Sequence, residues 1–169
     1  MTTAIAPVLS AAARRAGKFL TFRLGDEEYG IEIQKVQEII GSMAITTVPG
    51  TPRHICGIVN LRGKVIPIIH LRRKFGMDDV ETTAETCIIV VQVQSVPMGL
   101  IVDRVSEVVN IAAAEVEDVP VFGADVDTTF LLGVAKHGGR VHLLLDIDRV
   151  LSTAEVVDVS AIQLEQPAA

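Results

Sequence analysis

The sequence predicts an all-β fold of two small barrels, with short helical turns between some of the strands. Val and Ile supply 41 of the 169 residues, and their β-branched side chains favour sheets over helices. A fixed order of β-rich runs and glycine turns also occurs twice along the chain. Hydrophobic residues make up 49% of the chain and charged residues 21%, so the chain is too apolar to be intrinsically disordered.

An internal repeat divides the chain into two halves that run in the same order. A first alignment matches Leu20–Ile40 with Ile89–Val109 without a gap, so that Leu20 corresponds to Ile89. A second alignment matches Gly57–Leu71 with Gly133–Ile147, also without a gap. Each half is therefore expected to hold two strands, a glycine-initiated strand, a glycine turn, a further strand and a helical turn.

Each half has the size and turn spacing of a small antiparallel barrel, a closed form that leaves few exposed edges. We predict that residues 18–80 form the first five-stranded barrel and residues 81–152 the second. Neither unit would bury a sizeable core alone, so we expect the two to pack across an apolar seam. Residues 1–17 are predicted to be a disordered N-terminal tail, and residues 153–169 a C-terminal tail or a short helix.

Local patterns place the individual elements. The runs FLTFRL and VVQVQ are β-rich and bounded by turn residues, and DEEYG and SVPMG read as the hairpin turns that follow them. Ile31 and Ile33 alternate, and the spacing then changes to Val36, Ile39 and Ile40, which predicts a strand that runs into a single helical turn. The segment LRRKFG predicts a short helix ended by its glycine, and MDDVETTAE a polar linker between the halves.

The sequence contains no recognisable catalytic constellation. The four histidines lack the spacing of a zinc site, and neither a phosphate-binding glycine loop nor a nucleophile elbow occurs. Asp146 and Asp148 are expected to cap the helical turn that they enter, and Cys56 and Cys87 to be buried free thiols. We therefore predict a protein that is not an enzyme, with no catalytic residues, no metal site and no cofactor.

The charge is unevenly distributed along the chain. Residues 1–77 hold 11 Lys/Arg and five Asp/Glu, a balance of +6, whereas residues 78–169 hold four and 16, a balance of −12. A basic stretch runs from Arg53 to Lys74, but only one aromatic residue, Phe75, accompanies it. Nucleic-acid binding by a small barrel is therefore a weak alternative. The N-terminal cations follow the apolar part, the reverse of the order in a secretory signal, and two cysteines make no disulfide framework, so we expect a cytoplasmic protein. No apolar run approaches the roughly 18 residues of a membrane span, so we expect no direct membrane insertion.

Four segments, in this order, carry a resemblance to a known family: GDEEYGIEIQKVQEII, VPGTPRHICGIVNLRGKVIPIIHLRRKFG, MGLIVDRVSEVV and LLGVAKHGGRVHLLLDIDRVL. Over residues 18–152 the chain resembles the CheW-like family of bacterial chemotaxis coupling proteins. The resemblance implies two SH3-like five-stranded barrels and no catalysis. It also implies an adaptor that joins the cytoplasmic tip of methyl-accepting chemoreceptors to the regulatory domain of the histidine kinase CheA, monomeric alone and ring-forming in membrane receptor arrays.

The resemblance also implies where partners bind. A receptor helix would lie in an apolar groove between the barrels, where aliphatic residues give contact area and a few charges fix the register. The matching receptor-binding positions are Leu20, Ile33, Val36, Ile39 and Val105, with Glu38 and Arg62 for polar contacts. Ordinary core packing is the alternative for each aliphatic residue. The kinase would contact the first barrel around Ile45, Val48 and Pro49, and a second kinase contact on the other barrel is not located.

Two further hypotheses follow from the sequence. A CheW-like adaptor could serve a different receptor–kinase pathway, such as surface motility or biofilm control. In addition, a basic first barrel and an acidic second barrel would assist ring contacts between unlike barrels, an effect that weakens as salt is added.

Overall fold

The structure is a computed structural model of the chain and describes residues 16–93, 95–119 and 130–150. These residues form eleven strands, one α-helical turn and three short 3-10 helices. The strands are β1 (Gly17–Leu24), β2 (Glu27–Glu32), β3 (Val36–Gly41), β4 (Ile55–Leu61), β5 (Lys64–His70), β6 (Cys87–Val93), β7 (Val96–Val102), β8 (Arg104–Ile111), β9 (Val116–Glu117), β10 (Leu131–His137) and β11 (Arg140–Leu145). The α-helical turn, α1, is Leu71–Lys74, and the 3-10 helices are Ile33–Lys35, Ala113–Glu115 and Ile147–Arg149. The predicted C-terminal tail and residues 1–15 of the predicted N-terminal tail lie outside the described residues.

The strands form two sheets with one common plan. The six-stranded sheet has the order β8-β1-β2-β11-β10-β9, and the five-stranded sheet the order β3-β6-β7-β5-β4. The two alignments of the repeat convert β3, β6, β7, β5 and β4 into β8, β1, β2, β11 and β10, so the two orders are equivalent. Pairing directions also agree, because β2–β11 and β7–β5 are parallel and the other equivalent pairs are antiparallel. The all-β fold and its internal repeat are therefore confirmed.

The division of the chain between the barrels differs from the prediction. Residues 18–80 supply β1 and β2 to the six-stranded sheet but β3, β4 and β5 to the five-stranded sheet. Residues 81–152 likewise supply β6 and β7 to the five-stranded sheet and the remaining strands to the other. The predicted boundary at residue 80 is therefore wrong, because the two halves exchange their first hairpins.

The length of the connection between β2 and β3 explains the exchange. If β3 paired antiparallel with β1, it would run parallel to β2, and the chain would have to return along the whole of β2, about 20 Å. The connection is the three-residue 3-10 helix Ile33–Lys35, which advances only about 6 Å. Parallel strands in one sheet need a dozen or more connecting residues, so β3 continues into the other sheet and pairs with β6.

Each sheet closes into a barrel through the segment that follows its first edge strand, β3 or β8. This segment pairs with the strand at the other side of the sheet, β4 or β10. In the five-stranded sheet, Thr46 and Ile58 exchange two backbone hydrogen bonds of 2.9 Å, and β9 pairs with β10 at the equivalent place. Gly57 makes the first closure possible. Its φ is +147°, and a Cβ there would lie 2.0 Å from the carbonyl oxygen of Thr46, so only glycine fits.

Three apolar clusters hold the molecule together. The largest contains side chains from both sheets, such as Phe22 and Leu145 from one and Ile69 and Leu100 from the other, and it is the predicted seam. Two smaller clusters fill the individual barrels, one around Phe19 and the other around its repeat equivalent, Ile88. The aliphatic side chains thus form three apolar clusters, one inside each barrel and one between the barrels.

Several local predictions can be compared with the structure. The helical turn predicted on Val36–Ile40 is wrong: the 3-10 helix precedes it, and Val36–Gly41 is a strand. A register shift between Val36 and Glu38 breaks the period of two, which produced the misleading spacing. The short helix before Gly76 is confirmed, and so is the Asp146 cap, whose carboxylate accepts a hydrogen bond from the Asp148 N–H at 3.2 Å.

Both cysteines are less buried than predicted. Cys56 and Cys87 are free but half-buried rather than fully buried, and burial raises the pKa of both thiols.

Because each half contributes strands to both sheets, the contrast in charge between the halves is largely lost between the barrels. Residues 33–103, which contain the five-stranded sheet, hold seven Lys/Arg and six Asp/Glu. Residues 17–32, 104–119 and 130–149 hold six and ten.

The described residues include neither a membrane-spanning helix nor a metal-binding cluster. No described helix is long and apolar enough to cross a membrane. No group of three or more His, Cys, Asp or Glu side chains among the described residues could hold a metal ion.

Candidate functional site

The candidate receptor site is centred on an ion pair across the five-stranded barrel. Glu38 lies on β3 and Arg62 in the turn between β4 and β5, at the opposite edges of the sheet. The guanidinium donates two hydrogen bonds to the carboxylate, Nη1 to Oε2 at 2.5 Å and Nη2 to Oε1 at 2.6 Å. This hydrogen bonding lowers the pKa of Glu38 and raises that of Arg62. The pair therefore presents one fixed, ionised unit at the surface.

The backbone of the turn explains how Arg62 is held. Arg62 and Gly63 have φ values of +54° and +81°, and as the two residues between β4 and β5 they form a type I′ hairpin loop. The side-chain carbonyl of Asn60 accepts a hydrogen bond of 2.9 Å from the Gly63 N–H. The equivalent loop of the other barrel consists of Gly138 and Gly139. A cationic side chain thus stands in this loop only on the five-stranded sheet.

The aliphatic residues of the predicted groove differ in exposure. Ile39, next to Glu38, is 45% exposed, so it is available to a partner. Ile33, Val36 and Val105 are half-buried and pack against the central cluster. These residues offer part of their surface while the rest of each side chain belongs to the core.

Leu20 does not belong to the exposed site. Its side chain is 2% exposed and lies in the central cluster, while its backbone pairs with Ile31 and Val108. The alternative of ordinary core packing therefore describes Leu20. Its place in the middle of the sheet, between β2 and β8, buries it, and a partner could reach it only after the sheet opened.

The predicted kinase-binding residues lie in the segment that closes the five-stranded barrel, but they do not form one face. Ile45 is half-buried, packs against the cluster inside that barrel and lines a cavity of about 390 Å³ together with Met43 and Ile101. Val48 is half-buried against the central cluster. Pro49 is exposed. Of the three, Pro49 is presented most openly.

The predicted site did not include Val108, an exposed apolar residue that the repeat indicates. Val108 on β8 is 51% exposed, and the repeat aligns it with Ile39, which is exposed to a similar degree. The neighbour of Val108, Glu107, aligns with Glu38. The two edge strands β3 and β8 therefore present the same acidic–aliphatic pair at equivalent positions of the two barrels.

A known protein family matches most of the chain. The CheW-like domain family matches residues 18–155 of the chain, which include every described strand except the first residue of β1. The chain is a member of the CheW-like domain family. The family identity agrees with the resemblance found in the sequence, and it accounts for the paired barrels.

Individual relatives agree with this CheW-like assignment. The chain is 40% identical over 153 residues to the chemotaxis protein CheW of Klebsiella aerogenes, covering 90% of this chain and 92% of that protein. It is 35% identical over 138 residues to CheW of Rhizobium meliloti, covering 82% and 89%. The crystal structure of the scaffolding protein TtCheW from Thermoanaerobacter tengcongensis superposes with a TM-score of 0.75 at 34% identity, covering 83% of this chain and 95% of that one.

These matches establish the general role of the CheW-like chain. It is a non-enzymatic scaffold of chemotaxis signalling, as the sequence predicted. The two SH3-like barrels are confirmed as the fold class, with the exchange of hairpins as the correction. Nucleic-acid binding by a small barrel is not favoured.

Proposed function

We propose that this CheW-like chain joins the cytoplasmic tip of methyl-accepting chemoreceptors to the regulatory domain of the histidine kinase CheA. The observation that carries the receptor half of this proposal is the pairing of Glu38 and Arg62 at a strand that also carries the exposed Ile39. A helical partner needs aliphatic contact area and a few charges that set its register. Strand β3 and the turn between β4 and β5 offer both: the Glu38–Arg62 pair on one face of the strand and Ile39 on the other.

The proposed receptor face consists of exposed and half-buried residues only. It comprises Ile33, Val36, Glu38, Ile39, Arg62 and Val105. Leu20 supports this face from the core rather than touching the receptor. Ile33, Val36 and Val105 pack against the central cluster, which forms the seam. The aliphatic part of the proposed face therefore lies where the two barrels meet.

The proposed kinase face is the segment between β3 and β4, with Pro49 as its exposed residue and Ile45 and Val48 as partly accessible neighbours. This segment closes the five-stranded barrel through Thr46, so its backbone is fixed before a partner binds. A fixed backbone lowers the entropy cost of association. We further propose that the protein is cytoplasmic, monomeric alone and recruited into membrane receptor arrays as part of a ring.

Binding of a purified receptor cytoplasmic fragment, measured by calorimetry, tests the receptor half of the proposal. Arg62→Glu places two carboxylates together where an ion pair stood, and we expect at least tenfold weaker binding, about 1.4 kcal/mol. Lys64→Glu is the matched control, because Lys64 is also exposed and follows the same turn. Receptor affinity that is equally reduced in both variants, or unchanged in Arg62→Glu, would contradict the assignment.

The same measurement with the kinase regulatory domain tests the second half. We expect Arg62→Glu to bind the kinase domain normally and Pro49→Asp to bind it at least about tenfold more weakly. A chain that binds neither the receptor fragment nor the kinase domain of its own organism would instead favour a different receptor–kinase pathway as its place of action.

A further inference from the structure

The interior of the five-stranded barrel ends in a cavity of about 390 Å³. The strand register places Ile88, Ile101 and His70 side by side in one row across β6, β7 and β5, and all three side chains line this cavity. Cys56 and Ile45 also line it, and both pack against the apolar cluster inside the barrel. The cavity is therefore the mouth of this barrel.

The segment that joins α1 to β6 forms another part of the wall. We call residues 78–86 the strap, and four of its residues line the mouth of the barrel: Asp79, Val80, Thr82 and Thr86. Val80 and Thr86 also line a second cavity, of about 450 Å³, and Val80 is 53% exposed. No residue of the strap belongs to one of the three apolar clusters. The strap thus lies between two cavities with little apolar packing of its own.

Two aspartates attach the beginning of the strap to the first half of the chain. Arg72 Nη1 donates a hydrogen bond of 3.0 Å to the Asp78 carbonyl oxygen. The Asp79 carboxylate lies between two arginines: Arg73 Nη2 donates to it at 3.0 Å, and Arg53 Nη2 lies 3.5 Å from it. The Asp79 side chain is 41% exposed and that of Arg53 67%, so this attachment is an exposed ion-pair network of modest strength.

The rest of the strap is held more weakly. Thr83 and Thr86 bond only to each other, through a Thr86 N–H to Thr83 carbonyl bond of 3.2 Å and a Thr83 N–H to Thr86 hydroxyl bond of 2.9 Å. Glu85 and Arg104 lie 3.5 Å apart, and both side chains are more than half exposed. Within the described part of the chain, residues 80–82 make no hydrogen bond or ion pair. A segment with so few contacts opens more readily than a packed strand.

We propose that the strap opens and closes over the mouth of the five-stranded barrel, and that Asp79, held between Arg53 and Arg73, is its latch. The residues on either side of the strap, Met77 and Cys87, pack against the central cluster, so the ends stay fixed while the segment between them moves. Opening exposes the cavity beside Ile45. Control of the proposed kinase face through Ile45 is a consequence that rests on the proposed function.

The thiol of Cys56 reports on the mouth of the barrel, and the thiol of Cys87 is the matched control. Both are free and half-buried, but Cys56 lines the cavity whereas Cys87 packs against the central cluster. Labelling of the full chain with N-ethylmaleimide, followed by mass spectrometry of its peptides, measures both rates in one sample. The labelling needs no partner, so it tests the strap separately from the proposed function.

Asp79→Asn and Arg73→Gln each weaken the latch. We expect both to raise the labelling rate of Cys56 about two- to fivefold, the range that loss of an exposed ion pair allows, and to leave that of Cys87 unchanged. Burial raises the pKa of Cys56, while the charge of Arg73 lowers it and that of Asp79 raises it further. A charge effect alone would therefore change the two rates in opposite directions. Rates are compared per thiolate, with the pKa of Cys56 taken from the pH dependence of each rate.

Glu81→Gln is the control variant, because it removes a carboxylate from the strap outside the latch. It should leave the rate per thiolate of Cys56 as it is in the natural protein. An unchanged rate per thiolate in either latch variant would overturn the proposal, and so would an equal rise in Glu81→Gln. An equal rise at Cys87 would show that the whole protein opens rather than the strap, which also contradicts a local latch.

Discussion

Arg72 and Asp103 form a two-bond ion pair that ties the two exchanged hairpins to the rest of the molecule. Arg72 Nε donates to Asp103 Oδ1 at 2.8 Å and Nη2 donates to Oδ2 at 2.5 Å. Oδ2 also accepts a hydrogen bond of 2.8 Å from the Gly25 N–H, in the turn between β1 and β2. One carboxylate thus joins α1, the β7–β8 junction and the first hairpin. These hydrogen bonds lower the pKa of Asp103 and raise that of Arg72.

Loss of this pair should destabilise the protein more than loss of an exposed ion pair. Arg72→Ala leaves Asp103 partly buried and without its main partner, so we expect the free energy of unfolding to fall by about 2–3 kcal/mol. Arg73→Ala, one residue along the same helical turn, removes a pair with an Asp79 side chain that is 41% exposed, and should cost at most about 1 kcal/mol. Urea denaturation of both variants measures the difference. Equal losses would show that Asp103 does not act as the joint.

The closure of the five-stranded barrel should depend on the absence of a side chain at position 57. Gly57→Ala would place a Cβ against the backbone carbonyl of Thr46, and we expect a loss of about 3 kcal/mol or more, or a chain that does not fold. Gly50→Ala is the control, since Gly50 also has positive φ, +83°, but has open space around it. Its loss, about 1 kcal/mol, isolates the cost of the backbone conformation. Thermal unfolding of the two variants decides between clash and conformation.

Leu20 and Ile39 should behave differently although both match the receptor-binding pattern. Leu20→Ala empties a site in the central cluster, and the free energy of unfolding should fall by about 2–5 kcal/mol. Ile39→Ala removes a half-exposed side chain, so its stability should change by less than about 1 kcal/mol while receptor affinity falls. Denaturation combined with receptor titration separates the two effects. A strongly destabilised Ile39→Ala would remove Ile39 from the proposed face.

His142 should make stability sensitive to mild acid. The ring is 5% exposed, and within the described part of the chain its Nδ1 is buried without a hydrogen-bond partner. Burial lowers the pKa of His142 below its ordinary value of 6.5; Glu28 and Glu107 oppose this shift, and His137 and Arg140 reinforce it. Below pH 6.5 the unfolded chain therefore binds more protons than the folded chain. The free energy of unfolding is highest above that pH and falls as the pH drops, by at most about 1.4 kcal/mol per pH unit.

His142→Ile tests this assignment, because the equivalent position of the other barrel is Ile66, which is 2% exposed. The variant should lose less stability than the natural protein between pH 7 and pH 5, measured by urea denaturation at each pH. Some loss should remain, since burial also lowers the pKa of His70. Parallel stability profiles for the two proteins would show that His142 does not titrate in this range.

The candidate site was only partly predictable from the sequence. The motif NLRG indicated a tight turn with a functional arginine, and the structure gives Arg62 and Gly63 the positive φ values of that turn. The contact between Arg62 and Glu38 was not predictable, because it spans the two edge strands of a closed barrel. The sequence also left the exposure of the aliphatic residues open, because such a residue in a strand pattern fits core and groove equally. In the structure Leu20 is buried and Ile39 is exposed.

The sequence by itself determined the all-β class, the order of strands within each half and the family, because turn residues and β-branched runs act over a few neighbouring residues. Only the tertiary structure decided which half pairs with which. The repeat makes β1 and β6 equivalent, so each hairpin carries the same apolar pattern and suits either sheet. The short 3-10 connection after β2 cannot return the chain along its own hairpin, and this geometric limit sends β3 to β6. The two barrels are therefore built from both halves, and the central seam holds together segments that are distant in sequence.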